Sequence, residues 1–219
     1  VVLRRPLLLH EGNAVLGRAN RLFSRFSTAV LVSLPLSGPA PRAARLVETG
    51  MPVRDALLQA ADKRQDCRRA WYREWNLDPD LPTVLVFGGS QGASFLNALL
   101  MQTAREVAET DSRPRFQVLH LTGLDSNEEL ISAYGSAGLR AYVAKSESRM
   151  ERCYALADMV LCRAGASTIA ELALFGKPSM LVPLPSAAED HQTANARVLA
   201  DRSAADCIPQ GELTPSALI

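Results

Sequence analysis

Short apolar runs alternate with amphipathic stretches along almost the whole chain. Residues 7–10, 30–33, 83–87, 116–121, 139–143, 159–162, 180–182 and 204–208 are rich in Val, Leu and Ile and lack the polar alternation of a strand with one wet face. Such runs predict strands buried on both sides. Between them, apolar positions recur at helical spacing and predict helices over 14–26, 65–75, 93–109, 127–134, 149–157, 168–175 and 191–200. Thr214-Pro215 has the form of an N-cap followed by a first-turn proline, the start of one more helix. Pro35, Gly38, Pro39 and Pro41 mark a loop, and the break at 48–54 (ETGMPVR) marks a domain boundary, dividing the chain into 1–54 and 55–219.

Buried strands alternating with helices define the class as α/β, with a parallel sheet covered by helices on both faces. In such sheets ligands bind beyond the carboxyl ends of the strands. The loops after Phe87, Thr122, Val143, Cys162 and Pro183 are therefore where a site is expected.

Composition narrows the class further. At 219 residues and 47% hydrophobic content the chain can bury a sizeable core. No apolar run reaches the roughly eighteen residues that a membrane-spanning helix needs. The opening VVLRRPLLLH has no secretory-signal pattern and no Met, so the natural start is expected upstream. Cys67, Cys153, Cys162 and Cys207 are scattered without a C-x-x-C pair, which reads as reduced thiols in a cytoplasmic protein. The net charge is only +1, yet residues 1–54 carry eight Arg against Glu11 and Glu48, a local +6, leaving −5 for the remainder. A basic segment on a near-neutral chain points to an anionic partner at one end: phosphates, nucleic acid or acidic lipid heads.

The candidate chemistry sits in the expected loops. Gly88-Gly89-Ser90-Gln91-Gly92 follows a strand and opens a helix, the position of a phosphate cradle, although a tight turn capped by Ser90 fits the bare pattern equally well. Arg163-Ala164-Gly165-Ala166-Ser167-Thr168 is a second strand-to-helix turn of the same kind. Glu171 stands three residues after Thr168, the spacing of a capping box, and locally the structural role is favoured. Residues 184–192 (LPSAAEDHQ) offer groups for hydroxyls, a phosphate or a base. His10-Glu11-Gly12-Asn13 ends the first strand, with Asn13 as a possible helix N-cap. No His/Cys/Asp cluster has metal-ligand spacing and no G-x-S-x-G elbow is present, which disfavours a metalloenzyme or a serine hydrolase.

In order along the chain, HEGNAVLGRANRLFSRF, TGMPVR, VLVFGGSQGASFLN, RAGASTIAELALFGKPSMLVPLP and EDHQTANARVL resemble successive segments of the MurG family. These are bacterial N-acetylglucosaminyltransferases of glycosyltransferase family 28. The resemblance implies a GT-B fold and metal-independent, inverting transfer of GlcNAc from UDP-GlcNAc to the C4 hydroxyl of MurNAc in lipid I, giving lipid II. It implies that 1–54 is the tail of an acceptor- and membrane-side domain and that 55–219 is a donor-binding domain truncated at its end. Asn13 and Arg54 match donor-contacting residues, Ser90 lies in the diphosphate loop with Gly88, Gly89, Gln91 and Gly92, and Val143 matches the residue whose backbone holds uracil. Ala166, Ser167 and Thr168 form the turn around the nucleotide. Glu171 falls on the ribose hydroxyls and Gln192 on the GlcNAc hydroxyls. The chain departs from the pattern at Gly12, Met51 and His191, where members carry Gln, Asn and, in some, Gln. The family's general-base histidine belongs to a preceding segment, so no catalytic residue is assigned within the chain, and this chain alone is expected to be inactive. No cofactor, metal or nucleic acid is implied. The implied partners are UDP-GlcNAc, lipid I and the anionic inner-membrane surface, for a cytoplasmic protein peripheral on that face. Two rival readings remain: another GT-B nucleotide-sugar enzyme, including a UDP-GlcNAc 2-epimerase, and a non-catalytic nucleotide-binding module.

Overall fold

The computed structural model describes residues 5–43, 45–62, 68–89, 93–110, 114–123 and 127–218. They form two parallel sheets. The first contains β1 (Leu8–Glu11), β2 (Ala29–Val32) and β3 (Leu46–Glu48), side by side in that order. The second contains β4 (Thr83–Phe87), β5 (Gln117–Leu121), β6 (Ala141–Ala144), β7 (Met159–Cys162), β8 (Ser179–Leu181) and β9 (Ala205–Cys207). Its spatial order is β6-β5-β4-β7-β8-β9, with every pair parallel. The order reverses between β4 and β7, which creates a topological switch point at their carboxyl ends.

Helices cover both faces of the larger sheet, as the unbroken apolar strands require. On one side Leu85, Leu119 and Leu181 meet α2 (Asp55–Asp62), α3 (Arg68–Glu74), α6 (Met150–Leu156), α7 (Ala166–Phe175) and α8 (His191–Ala200). On the other, Val86, Val118 and Leu161 meet α4 (Ala93–Ala108) and α5 (Glu128–Ser136). Alternate residues of one strand thus feed two cores, the period-two consequence of the pleat.

Three expectations change. The helix expected over 14–26 is instead α1 (Arg18–Phe23) followed by a 3-10 turn at Ser24–Phe26. The cause is Glu11: its buried carboxylate accepts the backbone N–H of Asn13 (3.1 Å) and of Gly17 (2.9 Å), so residues 12–17 are held as a turn. Asn13 is therefore not an N-cap. Helix α2 and strand β3 were not anticipated. The first follows the break at 48–54 directly, burying Leu57 and packing on α6 and α7, and the second is only three residues long. At the end of the chain Thr214-Pro215 opens a 3-10 turn, Pro215–Ala217, rather than an α-helix.

Candidate functional site

A cavity of about 680 Å³ lies at the switch point. Phe87 and Gly89 supply its wall after β4, and Leu121 and Gly123 that after β5. Lys145, Ser146 and Glu147 close it after β6, while Ser167, Thr168 and Glu171 face it from the start of α7. Arg54 reaches it from the residue before α2. The strand ends named by the sequence pattern therefore converge on one space, except the loop after β8.

Glu171 is the best-supported acceptor in that space. Helix α7 starts at Ala166 with Gly165 as its N-cap, so Glu171 is the sixth helical residue and Thr168 the third. The capping-box reading fails, because a capping glutamate must sit at the third position to reach back to the N-cap. Instead Tyr154 Oη donates to Glu171 Oε2 at 2.7 Å. Tyr154 is fully buried, stacked on Phe175 (5.1 Å) and edge-on to Phe87 (6.2 Å), and its burial, with the Glu171 carboxylate beside it, holds its hydroxyl protonated far above the ordinary range. One carboxylate oxygen is thereby fixed, and Oε1 has no protein donor among the described residues. Tyr154 was missed by sequence reasoning, since nothing in its spacing separates a core tyrosine from one that orients an acid.

The first turn of α7 adds donors. Its first intrahelical bond is Ile169 N–H to Gly165 O (3.0 Å), leaving the N–H groups of Ala166, Ser167 and Thr168 without intrahelical partners. Ser167 and Thr168 line the cavity. Ala166 points elsewhere: its Cβ lies 3.6 Å from where a side chain on Gly12 would begin, and the Met51 thioether sulfur is equally near. Gly89, at φ +69°, has the left-handed backbone that glycine adopts most readily, with no atom of the described residues within 4 Å of where a side chain would begin. Ser90, Gln91 and Gly92 lie outside the described residues.

Two other expected residues are tied into the scaffold. Gln192 Oε1 accepts the N–H of Ala164 (3.2 Å) and of Leu184 (3.0 Å), linking the loops after β7 and β8. Asn13 Oδ1 accepts from Asn195 Nδ2 (3.0 Å). Asn195, which sequence reasoning missed, is fully buried, donates also to Ala164 O and accepts Ala14 N–H, so it joins the small sheet to the large one. Val143 lies within β6, paired with His120 across the sheet, two residues before the cavity wall at Lys145. Arg163 turns away from the cavity. Its guanidinium is buried over the Phe95 ring, donates to Val182 O, Pro183 O and Gln210 Oε1, and burial lowers its proton affinity. His191 Nδ1 contacts Ala188 O, and His10 Nε2 contacts Ser33 Oγ, which itself donates to Gly50 O. Among the described residues there is no group of three His, Cys, Asp or Glu able to hold a metal. The described cysteines Cys153, Cys162 and Cys207 are free, and burial raises all three thiols.

Residues 83–219 match the model of the glycosyltransferase family 28 C-terminal domain. Relatives of Nitrosococcus oceani and Ectopseudomonas mendocina are 41% and 42% identical over 99% and 94% of this chain. Both bear the name UDP-N-acetylglucosamine--N-acetylmuramyl-(pentapeptide) pyrophosphoryl-undecaprenol N-acetylglucosamine transferase. The chain spans 57% and 53% of their respective lengths. The crystal structure of Acinetobacter baumannii MurG superposes with a TM-score of 0.74 at 33% identity, over 99% of this chain and 57% of that one. A glycosyltransferase of kitacinnamycin (TM-score 0.58, 19% identity, 88% of this chain and 45% of that one) shares the fold. Two parallel sheets with helices on both faces agree with the GT-B expectation.

Proposed function

The chain belongs to glycosyltransferase family 28, and on that premise we propose that it binds UDP-GlcNAc and transfers GlcNAc to the C4 hydroxyl of MurNAc in lipid I, forming lipid II. We divide it after Arg54, with residues 55–219 as the donor-binding domain and Arg54 reaching into its cavity from the boundary. The observation that carries this reading is the Glu171 carboxylate, fixed by Tyr154, at a switch point flanked by the left-handed Gly89 and the open first turn of α7. In this reading Glu171 accepts the ribose hydroxyls, and the starts of α4 and α7 face the diphosphate. Their N–H groups and helix dipoles stabilise the charge that grows as UDP departs, the task a metal would otherwise perform. Gln192 has its oxygen committed to two backbone N–H groups, so its Nε2 is the group offered to a GlcNAc hydroxyl. Attack on C1 from the face opposite UDP inverts the anomeric centre. Proton removal from the acceptor hydroxyl is assigned to no residue here: His10 and His191 are engaged as described, and His120 is sealed in the core.

Calorimetric titration with UDP, UDP-GlcNAc and UDP-GalNAc tests the reading. Binding of UDP-GlcNAc in preference to its C4 epimer is expected. Equal binding of the two would favour a nucleotide-binding module, and binding of neither would sink the donor site.

Residues 1–54 support an anionic membrane surface as partner, on the cytoplasmic face of the bacterial inner membrane where lipid I is held. Leu22, Phe23 and Phe26 are each about half exposed, at 50%, 48% and 53%. Beside them Arg18, Arg21, Arg25 and Arg42 rim a depression of about 490 Å³. Apolar side chains flanked by guanidinium groups suit insertion among acidic headgroups. Leu22→Ser with Phe26→Ser should abolish sedimentation with phosphatidylglycerol vesicles, and undiminished sedimentation would refute this role. No described helix is long and apolar enough to cross a membrane.

A further inference from the structure

His120 sits on β5, one strand in from the edge of the large sheet, with no exposed surface, on a strand whose five residues are all buried. Both ring nitrogens are used. Nδ1 is 2.8 Å from Tyr134 Oη on α5, and Nε2 is 2.9 Å from Asn97 Oδ1 on α4. The Asn97 amide also donates from Nδ2 to Thr122 O at 3.0 Å, so its Oδ1 is an acceptor. That fixes the imidazole tautomer and the direction of the whole chain. Tyr134 O–H donates to Nδ1, Nε2–H donates to Asn97, and Asn97 donates to the backbone after β5. Burial holds the ring neutral, with a pKa pushed down to about 3, which keeps that direction unchanged across ordinary pH.

A leucine would fill such a position without any partner, whereas a buried histidine is tolerated only because both of its ring nitrogens are satisfied. What the polar chain adds is direction. Asn97 is the fifth residue of α4, the helix that follows Gly88-Gly89. Thr122 leads into Gly123, which lines the cavity with Leu121. The relay therefore fixes the rotation and axial position of α4 against the β5 end of the same cavity.

We propose that His120, acting through Asn97, is a positioning residue for the diphosphate of the donor: it sets the start of α4 against the loop at Thr122–Gly123. This rests on the nucleotide-sugar reading above and deepens it: the His120 backbone neighbours Val143 at the uridine end, but its side chain reaches α4, and the relay is assigned to the phosphate end.

The two ends can be separated by titrating the chain with UDP and with uridine, which lacks the phosphates. His120→Leu should weaken UDP about tenfold while uridine changes less than about twofold. Asn97→Ala cuts the same relay from the helix side without altering the strand, and should give the same UDP-selective loss. His120→Gln, whose amide can donate to Asn97 and accept from Tyr134, should restore most of the UDP-to-uridine ratio. Parallel weakening of both ligands, or unchanged UDP affinity in a folded Asn97→Ala protein, would overturn the proposal while leaving the donor site standing. A wild-type chain that binds neither ligand would overturn both.

Discussion

Glu171→Gln probes the donor site without disturbing the fold around it. Tyr154 Oη donates to Glu171 Oε2 at 2.7 Å from a fully buried ring. A glutamine keeps an oxygen for that hydroxyl, so the melting temperature should stay within about 2 °C of wild type. The cavity side changes more, because a carboxylate oxygen becomes an NH2 group. Hydrogen bonds to charged groups contribute about 1.5–3 kcal/mol and neutral ones about 0.5–1.5 kcal/mol. The difference, about 1–1.5 kcal/mol, corresponds to UDP binding weakened about 5–15-fold. A uridine diphosphate lacking both ribose hydroxyls should bind wild type and variant alike. Glu171→Ala provides the contrast: it also leaves the buried Tyr154 hydroxyl without an acceptor, which costs about 1–3 kcal/mol and lowers the melting temperature as well. Isothermal titration of both nucleotides, with melting curves of each protein, is the assay. Equal losses for the two nucleotides, or a lower melting temperature with UDP affinity intact, would refute the ribose role.

Gly89→Ala, at φ +69° with no described residue in its way, should cost about 1 kcal/mol of stability through backbone strain, and Gly89→Asn less; denaturant midpoints would show a larger penalty for Asn if the reasoning is wrong. Glu11→Gln should cost about 2 kcal/mol, because an NH2 group would face two of the four donors from Asn13, Gly17 and Asn20 that now hold the carboxylate; an unchanged urea midpoint would contradict this. His120 has a folded pKa of about 3 against an ordinary 6.5, so between those values the unfolded chain binds a proton that the folded chain does not. Stability should therefore fall with pH through that window, by about 2 kcal/mol between about pH 7.5 and about pH 5, and His120→Gln should flatten the dependence. Urea unfolding at the two pH values measures it, and an equal slope in the variant would assign the effect to other groups.

The larger sheet was legible because its strands are buried on both faces: Thr83–Phe87 and Met159–Cys162 have the bounds that the apolar runs imply. The cavity wall was legible for the same reason, since a parallel sheet gathers its carboxyl ends. Where side chains compete with the backbone, the pattern misled. Residues 14–26 have helical spacing, yet Glu11 takes the donors that would start the helix. At Glu171 the spacing to Thr168 suggested a cap, but α7 begins two residues earlier, at Ala166, and no local pattern announces that Gly165 serves as the N-cap. Tyr154, His120 and Asn195 act through partners 14 to 182 residues away, or at the far side of a sheet, and a periodicity read along the chain carries no such distances.

Helix α8 ties the loop after β8 to the start of α7, although that loop does not line the main cavity. Gln192 and Asn195 are three residues apart, so they share one face, and that face carries amides where a core helix would carry leucines. Gln192 pins the loops after β7 and β8 to each other, and Asn195 pins Ala164 to the Asn13–Ala14 turn of the small sheet. Apolar contact at Ala14 and Leu34 would hold the sheets together without fixing their orientation, because apolar contact has no direction. The amides add direction, and all of them converge on Ala164, the residue before the N-cap of α7. The helix that presents Glu171 to the cavity is thus oriented from both halves of the chain at once.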